Sequence, residues 1–260
     1  MGTGSSLSVE TVNGVAVVRL THGKVNALDI ELCRAISETF HDLTGSAGAV
    51  VFTGTGPAFS AGVDLWRVLD GGPDYVDAFL PALVDAFLPA LVDAFAAVFT
   101  CELPVVAAVN GHAIAGGCIL AAACDHRVMA AGGGGIGIPE MLVGVPFPAT
   151  ALAIVEHAAG AKQARKLVYS GELLRPEAAL ESGLVDRLAA PEELVELALE
   201  QASRLASSIP PGTFAATKRY LNRLPCPSEY DGEVVRLWRE RVADGWIAGY
   251  MARTVRRSPT

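Results

Sequence analysis

Two glycine-bearing turns and one carboxylate are the parts of this chain best suited to proton and charge chemistry. The turns are "GPAFSAGVDL" (56–65) and "NGHAIAGGCILAAACDHRV" (110–128), and the carboxylate is Glu140 in "IGIPEMLVGVPFP". In each turn a buried apolar run enters small residues that leave backbone N–H groups unencumbered, and a helix-like stretch follows. Convergent N–H groups of this kind stabilise negative charge as it develops. Taken singly, each turn also suits tight packing of small residues, and Glu140 also suits a helix start or an ion pair. Neither turn is a phosphate cradle, since no Gly-Lys-Ser/Thr follows, and "GTG" at 54–56 lacks the third glycine of a dinucleotide fingerprint. The glycines of "AAGGGGIGIPE" (130–140) carry no cation and read as a loop.

The elements that must position these groups follow from periodicity. "LSVETVNGVAVVRL" reads as a hairpin turning at Asn13-Gly14. "DIELCRAISETFHDL" reads as a helix capped by Asp29, with Ile30, Cys33, Ile36, Phe40 and Leu43 on one face. "AVVFTG" (49–54) and "PVVAAV" (104–109) are apolar throughout, as strands buried on both faces are. Helices are predicted near 148–159, 161–169, 176–182 and 191–207, with a long pair after Pro211. Strands alternating with helices, then mostly helices, define an α/β core with a helical C-terminal region.

The bulk composition narrows the function classes. Of 260 residues, 51% are hydrophobic and 18% charged, and the formal charge of −8 argues against a nucleic-acid partner. The five cysteines form no CxxC pair and read as buried structural thiols of a reducing compartment, with no metal site implied. The start "MGTGSSLSVE" lacks the regions of a signal peptide, and its match to a myristoylation pattern is short enough to be chance.

"DAFLPALVDAFLPALVDAF" (77–95) repeats one octad twice and begins a third copy. As a helix it would place Phe79, Leu83, Phe87, Leu91 and Phe95 in one row and Asp77, Pro81, Asp85, Pro89 and Asp93 in another. Asp85 at its centre argues against a membrane span, at about 2.5–3.5 kcal/mol for that charge alone. Rows four residues apart drift too fast for a coiled coil. With Pro81 and Pro89 opposing a straight helix, the expectation is a kinked or split helix across 75–99.

In combination, "GKVNALD", "FSAGVDL", "NGHAIAGGC…CDHRV", "IGIPEMLVGVPFP" and "SGELLRPEAALESGLVDRL" resemble the crotonase family, the enoyl-CoA hydratases and isomerases. The resemblance runs from about residue 7 to 225. It implies a crotonase-like spiral of ββα units with C-terminal helices, divided as a core over 1–200 and a helical region over 201–260 involved in oligomerisation. It also implies an acyl-CoA thioester substrate with no separate cofactor, a homotrimer or dimer of trimers, a cytoplasmic setting, and no membrane or nucleic-acid partner.

Carried over by position, the thioester oxygen would sit between the N–H groups of Val63 and Gly116, with the helix opening near Gly117 adding its dipole. Lys24, Val25 and Ala27 match adenine and pantetheine contacts, and Ala61, Asp64, Gly117 and Ile119 complete the substrate-binding set. Hydratases of the family use two glutamates. Here one position is Ile119, which cannot move a proton, and the other is Glu140. Adding water needs a matched acid and base, whereas moving a double bond from C3 to C2 needs one base. The pattern therefore resembles the isomerase branch, with a hydratase or other lyase, and a non-catalytic acyl-CoA binder, as alternatives.

The remaining polar residues read more plainly. His112 suits a hydrogen-bonded or pocket-lining role, and Asp64 and Asp125 suit cap or strand-end roles. Trp66 and Arg67 suit either a substrate contact or a surface helix. Lys218, Arg219 and Arg223 suit a solvated helix face, or contacts to the CoA phosphates. The octad, lying between the two turns, is expected to form part of the acyl-pocket wall.

Overall fold

A computed structural model of the chain describes residues 6–63, 86–224 and 230–254. Two layers of strands are laid down alternately. Strands β1 (Leu7–Val12), β2 (Val15–Leu20), β3 (Ala49–Gly54), β5 (Val105–Val109), β7 (His126–Ala130) and β10 (Arg187–Ala189) form one sheet in the order β1-β2-β3-β5-β7-β10. Short strands β4 (Ala58–Ser60), β6 (His112–Ile114), β8 (Ile136–Gly137) and β9 (Leu173–Leu174) form a second, in the order β4-β6-β8-β9.

The chain thus runs long strand, short strand, helix, and then repeats. β3 leads to β4 and, after residues 64–85, to helix α2 (Leu88–Thr100); β5 leads to β6 and helix α3 (Gly116–Ala122). β7 leads to β8, helix α4 (Glu140–Val143) and helix α5 (Ala149–Ser170). This is the spiral of ββα units that the motifs implied. Helices α6 (Pro176–Glu181), α7 (Leu194–Ser208), α8 (Pro211–Leu221), α9 (Tyr230–Ala243) and α10 (Trp246–Thr254) follow. Residue 200 falls within α7.

Local chemistry accounts for the elements on which the site depends. Asn13 and Gly14, at φ 50° and 81°, turn β1 onto β2 with Val12 opposite Val15, as a two-residue hairpin demands. Helix α1 (Ile30–Asp42) is capped by Asp29, whose Oδ1 accepts from the Leu32 N–H at 2.8 Å, and it buries Leu32, Cys33, Ile36 and Phe40. β3 is buried on both faces. Val50 and Phe52 face the main core with α1, while Ala49 and Val51 face Leu194, Ala198 and Ala202 of α7. Helix α5 changes direction at Gly160 (φ 76°, ψ 152°), matching the two helices expected on either side of it.

One expectation needs correction. The glycines of 130–140 are not simply loop residues, because Ile136 and Gly137 form β8. A Cβ on Gly137 would lie 2.3 Å from the Glu172 carbonyl oxygen, and one on Gly134 would lie 2.6 Å from the Gly111 carbonyl carbon. Close backbone approach, more than freedom of motion, requires glycine there. Of the kinked or split helix expected across 75–99, the described part shows a π-helical turn at residues 86–87 leading into α2, with Pro89 in the first turn of α2. From Leu88 to Thr100 the octad buries Leu91 and Phe95 and exposes Asp93, as its rows predict. The expected bend at Pro81, along with Asp64, Trp66 and Arg67, lies outside the described residues.

Candidate active site

The two glycine turns meet back to back. Residues 25–28 run beside 60–63: the Ala61 N–H donates to the Val25 carbonyl at 3.0 Å, and the Leu28 N–H donates to Gly62 at 2.8 Å. Leu28 bridges Val63 in parallel register, and the Ser60 hydroxyl donates to the Asn26 carbonyl at 2.7 Å. Val25, Ala27, Ala61 and Val63 are thereby held together, half-buried, with Lys24 exposed at their edge.

Sequence reasoning missed the residue that ties this block together. Asn26 is fully buried at φ 50°. Its side-chain amide donates to the carbonyls of Thr55, Ala58 and Phe59 at 3.0–3.2 Å, and its Oδ1 accepts from the His22 N–H at 3.0 Å. His22 Nε2 in turn lies 2.7 Å from Asp29. Asn tolerates such a positive φ better than most residues, but its partners lie far along the chain and left no sign in the sequence.

Gly62, at φ 76°, is where the turns touch. A Cβ there would lie 2.6 Å from the Ile114 carbonyl oxygen and 3.2 Å from the Gly116 nitrogen. Gly117 is equally constrained, since its Cβ would lie 2.2 Å from the Ser60 carbonyl oxygen. Ala115 adopts φ 53° and ψ −125° just before the Gly116 amide. Such a conformation costs on the order of 1–3 kcal/mol for a residue with a side chain. The Ala115 N–H donates to Gly137 at 2.8 Å, which helps to fix it. Among the described residues, the Val63 and Gly116 N–H groups have no hydrogen-bond acceptor. Two amides from facing turns, neither used internally, are left free to donate to a group from outside.

The octad reaches this same point. A Cβ on Gly116 would meet Leu28 Cδ1 at 2.7 Å, Phe95 Cζ at 3.4 Å and Leu91 Cδ1 at 3.8 Å. Leu91 and Phe95 of α2 therefore wall the second amide with hydrocarbon.

Glu140 enters from the third motif. Gly137 pairs with Ile114, and three residues later Glu140 opens α4 behind Pro139. The residue is half-buried, but its Oε2 is sealed from solvent and has no hydrogen-bond partner among the described residues. Burial drives its pKa from 4.5 to about 8, against a smaller opposing effect of its own backbone N–H. A carboxyl poised near neutrality can take a proton and give it back. Its charge is felt at Cys118, whose thiol is pushed up chiefly by burial and secondarily by Glu140. Ile119, one residue further along α3, is a fully buried core side chain.

Helices α9 and α10 close over this region from the same chain. Val234, Trp238, Ile247 and Met251 are buried in the main core, and Trp246 packs on Gly144 at the end of α4.

Other candidates resolve into structural roles. His112 Nδ1 accepts from the Gly135 N–H at 3.1 Å, the hydrogen-bonded role expected of it. Asp125 accepts from the Val105 N–H at 2.8 Å, as a strand-end residue should. Lys218 departs from the solvated face expected of it: it is 4% exposed, and its Nζ reaches Asp125 at 2.7 Å and the Leu103 carbonyl at 3.1 Å. A helical charge pattern cannot reveal such a pair across 93 residues. Arg219 pairs with Glu102 and Arg223 stacks over Tyr220, both at the surface. Cys33, Cys101, Cys118 and Cys124 are buried and unbridged, and burial pushes the Cys33 thiol to about 12. Among the described residues no cluster of three or more His, Cys, Asp or Glu could hold a metal ion. No described helix is long and apolar enough to cross a membrane.

An alternating two-layer spiral with paired amides and a buried carboxyl is the architecture of crotonase-fold acyl-CoA enzymes. Residues 10–228 match the family model described as enoyl-CoA hydratase/isomerase, and the chain belongs to that family. It is 36% identical over 239 residues to a putative enoyl-CoA hydratase of Thermus thermophilus, covering 90% of this chain and 88% of the relative. Human mitochondrial delta3-delta2-enoyl-CoA isomerase is structurally similar at TM-score 0.76 and 25% identity, covering 94% and 92% of the two chains. A probable enoyl-CoA hydratase, EchA3 of Mycobacterium tuberculosis, aligns at TM-score 0.73 and 29% identity, covering 96% and 98%. The family acts on acyl-CoA thioesters.

Proposed function

We propose that this enzyme is an enoyl-CoA isomerase that moves a C3 double bond to C2 with Glu140 as its single base. The observation that carries this reading is the pairing of a sealed, unpartnered Glu140 carboxyl with a buried apolar Ile119 where a second carboxylate would be needed to add water. Glu140 removes a C2 proton from the 3-enoyl thioester. The electron pair moves into a dienolate whose oxygen accepts from the Val63 and Gly116 N–H groups. The carboxylic acid then returns the proton at C4, leaving the 2-enoyl thioester and the regenerated carboxylate. No water or redox equivalent is consumed, and CoA takes part only as the substrate's own thioester.

In this reading Ala61, Gly117 and Ile119 border the thioester, and Lys24, Val25 and Ala27 lie along the pantetheine and adenine path, with Asp64 beside the first amide in sequence. The active unit is a homotrimer or dimer of trimers, assembled through the helical region 201–260 and working in the cytoplasm.

The test is turnover of 3-enoyl-CoA in deuterated water. The isomerase reading expects 2-enoyl-CoA as product with solvent deuterium in the acyl chain, and loss of both signals in Glu140→Gln. Formation of 3-hydroxyacyl-CoA from 2-enoyl-CoA as the dominant activity would instead establish a hydratase. Binding of the thioester with no exchange at C2 would leave only a binding protein.

A further inference from the structure

A second cavity, of 460 Å³, lies away from this site. It opens where β7 begins, between Phe99 at the end of α2, His157 on α5, Leu205 on α7, and Phe214 and Lys218 on α8. Helix α3 separates it from the candidate oxyanion amides. Gly116 starts that helix, whereas Cys124 and Asp125 of the cavity lie beyond its end, about 10 Å further at 1.5 Å per residue.

We propose that this cavity is a binding site for a small amphiphilic carboxylate, an apolar chain or ring bearing one anionic head. Its size falls within the roughly 300–1,000 Å³ of small-molecule sites, and the surface it presents is mainly apolar, although polar side chains are interleaved with the apolar ones around it. Phe99, Leu205 and Phe214 provide hydrocarbon walls. Arg127 provides the anchor: its side chain is 7% exposed, with Nη1 donating to the Cys124 carbonyl and Nη2 paired with Asp186, each at 2.8 Å. Its Nε is buried and has no acceptor among the described residues. A guanidinium N–H is an obligatory donor, so one left without an acceptor is a standing demand for an oxygen, met once a ligand's carboxylate displaces the side chains that seal it.

The cavity also holds its own reporter. His157 packs edge-on against Phe99, with ring centroids 5.2 Å apart. Its pKa is held below 6.5 by burial first, then by Arg127 and Lys218, with Asp125 opposing. His126 beside it is lowered by burial and by Arg127, Arg204 and Arg187, against Asp186. A bound carboxylate adds a negative neighbour and raises the His157 pKa, whereas an uncharged analogue cannot.

The experiment titrates the intact protein with sodium hexanoate and separately with hexanamide, following the His157 ring resonances by NMR across pH. The expected result is a saturable shift with hexanoate, an upward move of the His157 pKa by about half a pH unit or more, and far weaker binding of hexanamide. Arg127→Gln should abolish the shift. Because Arg127 is also structural, Leu205→Trp serves as the variant that fills the cavity and leaves the ion pairs alone. It should weaken hexanoate binding at least about tenfold, or 1.4 kcal/mol. Equal binding of hexanamide would overturn the anionic assignment. So would a hexanoate response that Leu205→Trp leaves unchanged, or none at all. If Leu205→Trp only dissociated an oligomer in sedimentation, a second copy of the chain would be the occupant and the proposal would fall. None of these outcomes bears on Glu140, so this site and the isomerase reading stand or fall separately.

Discussion

Replacing Glu140 by Gln should stabilise the protein at alkaline pH while removing its catalytic base. The carboxyl titrates at about 8 in the folded chain against 4.5 as its ordinary value. The folded state therefore holds the proton more tightly than the unfolded state does. The sign of the linkage follows: stability is unaffected below about 4.5, falls as pH rises from there to about 8, and is level above. At 1.36 kcal/mol for each pH unit across that interval, the full cost of ionising Glu140 is on the order of 5 kcal/mol. Gln keeps the shape and loses the charge, so the variant escapes the cost. For a chain of this size that difference corresponds to a gain on the order of 10 °C in Tm at pH 9, and close to none at pH 4. The assay is thermal unfolding of both proteins across this range, taking the difference at each pH so that other titrating groups cancel. A difference that does not grow between pH 4.5 and 8 would refute the reasoning, because Glu140 would then not be desolvated in the folded state.

The same shift fixes the pH dependence of turnover: at pH 7 roughly a tenth of the molecules carry the ionised base, so kcat/KM should climb with pH and level off past about 8. An inflection near 4.5 would place the base in water. Gly62→Ala should lose about 1–3 kcal/mol from its φ of 76° alone, and turnover should fall roughly 100-fold as the Ile114 carbonyl is displaced, measured by denaturation and steady-state kinetics. Asn26→Ala strips donors from the Ala58 and Phe59 carbonyls, and urea unfolding should show a loss of about 2–4 kcal/mol. Lys218→Met leaves Asp125 without its partner, and the midpoint of denaturation should drop by the equivalent of about 3–5 kcal/mol.

Features encoded by neighbours in the chain were legible in the sequence. Asn13-Gly14 specifies its hairpin through two positive φ values, Asp29 specifies a helix start through one oxygen, and Gly160 divides α5 at the expected place. Glu140 was legible because its motif carries it. Features made by distant segments were hidden. Nothing near Asn26 announces carbonyls 29 to 33 residues away, and Lys218 reads as surface until Asp125 is beside it. The glycines around 134–137 looked loose because sequence shows a missing side chain but not the backbone pressed against it.

The contact at Gly62 carries a consequence for how such a chain can change its reaction. Because the two donor turns approach so closely at Gly62 that even a Cβ would strike the Ile114 carbonyl and crowd the Gly116 nitrogen, the part proposed to polarise a thioester behaves as one fixed tool. The side chains at 119 and 140 hang on separate helices around it, like interchangeable bits in a chuck. Exchanging Ile119 for an acid would alter which atoms are added to the substrate without resetting the grip on its oxygen. New chemistry is then reachable through single side chains, while the backbone block tolerates almost no revision.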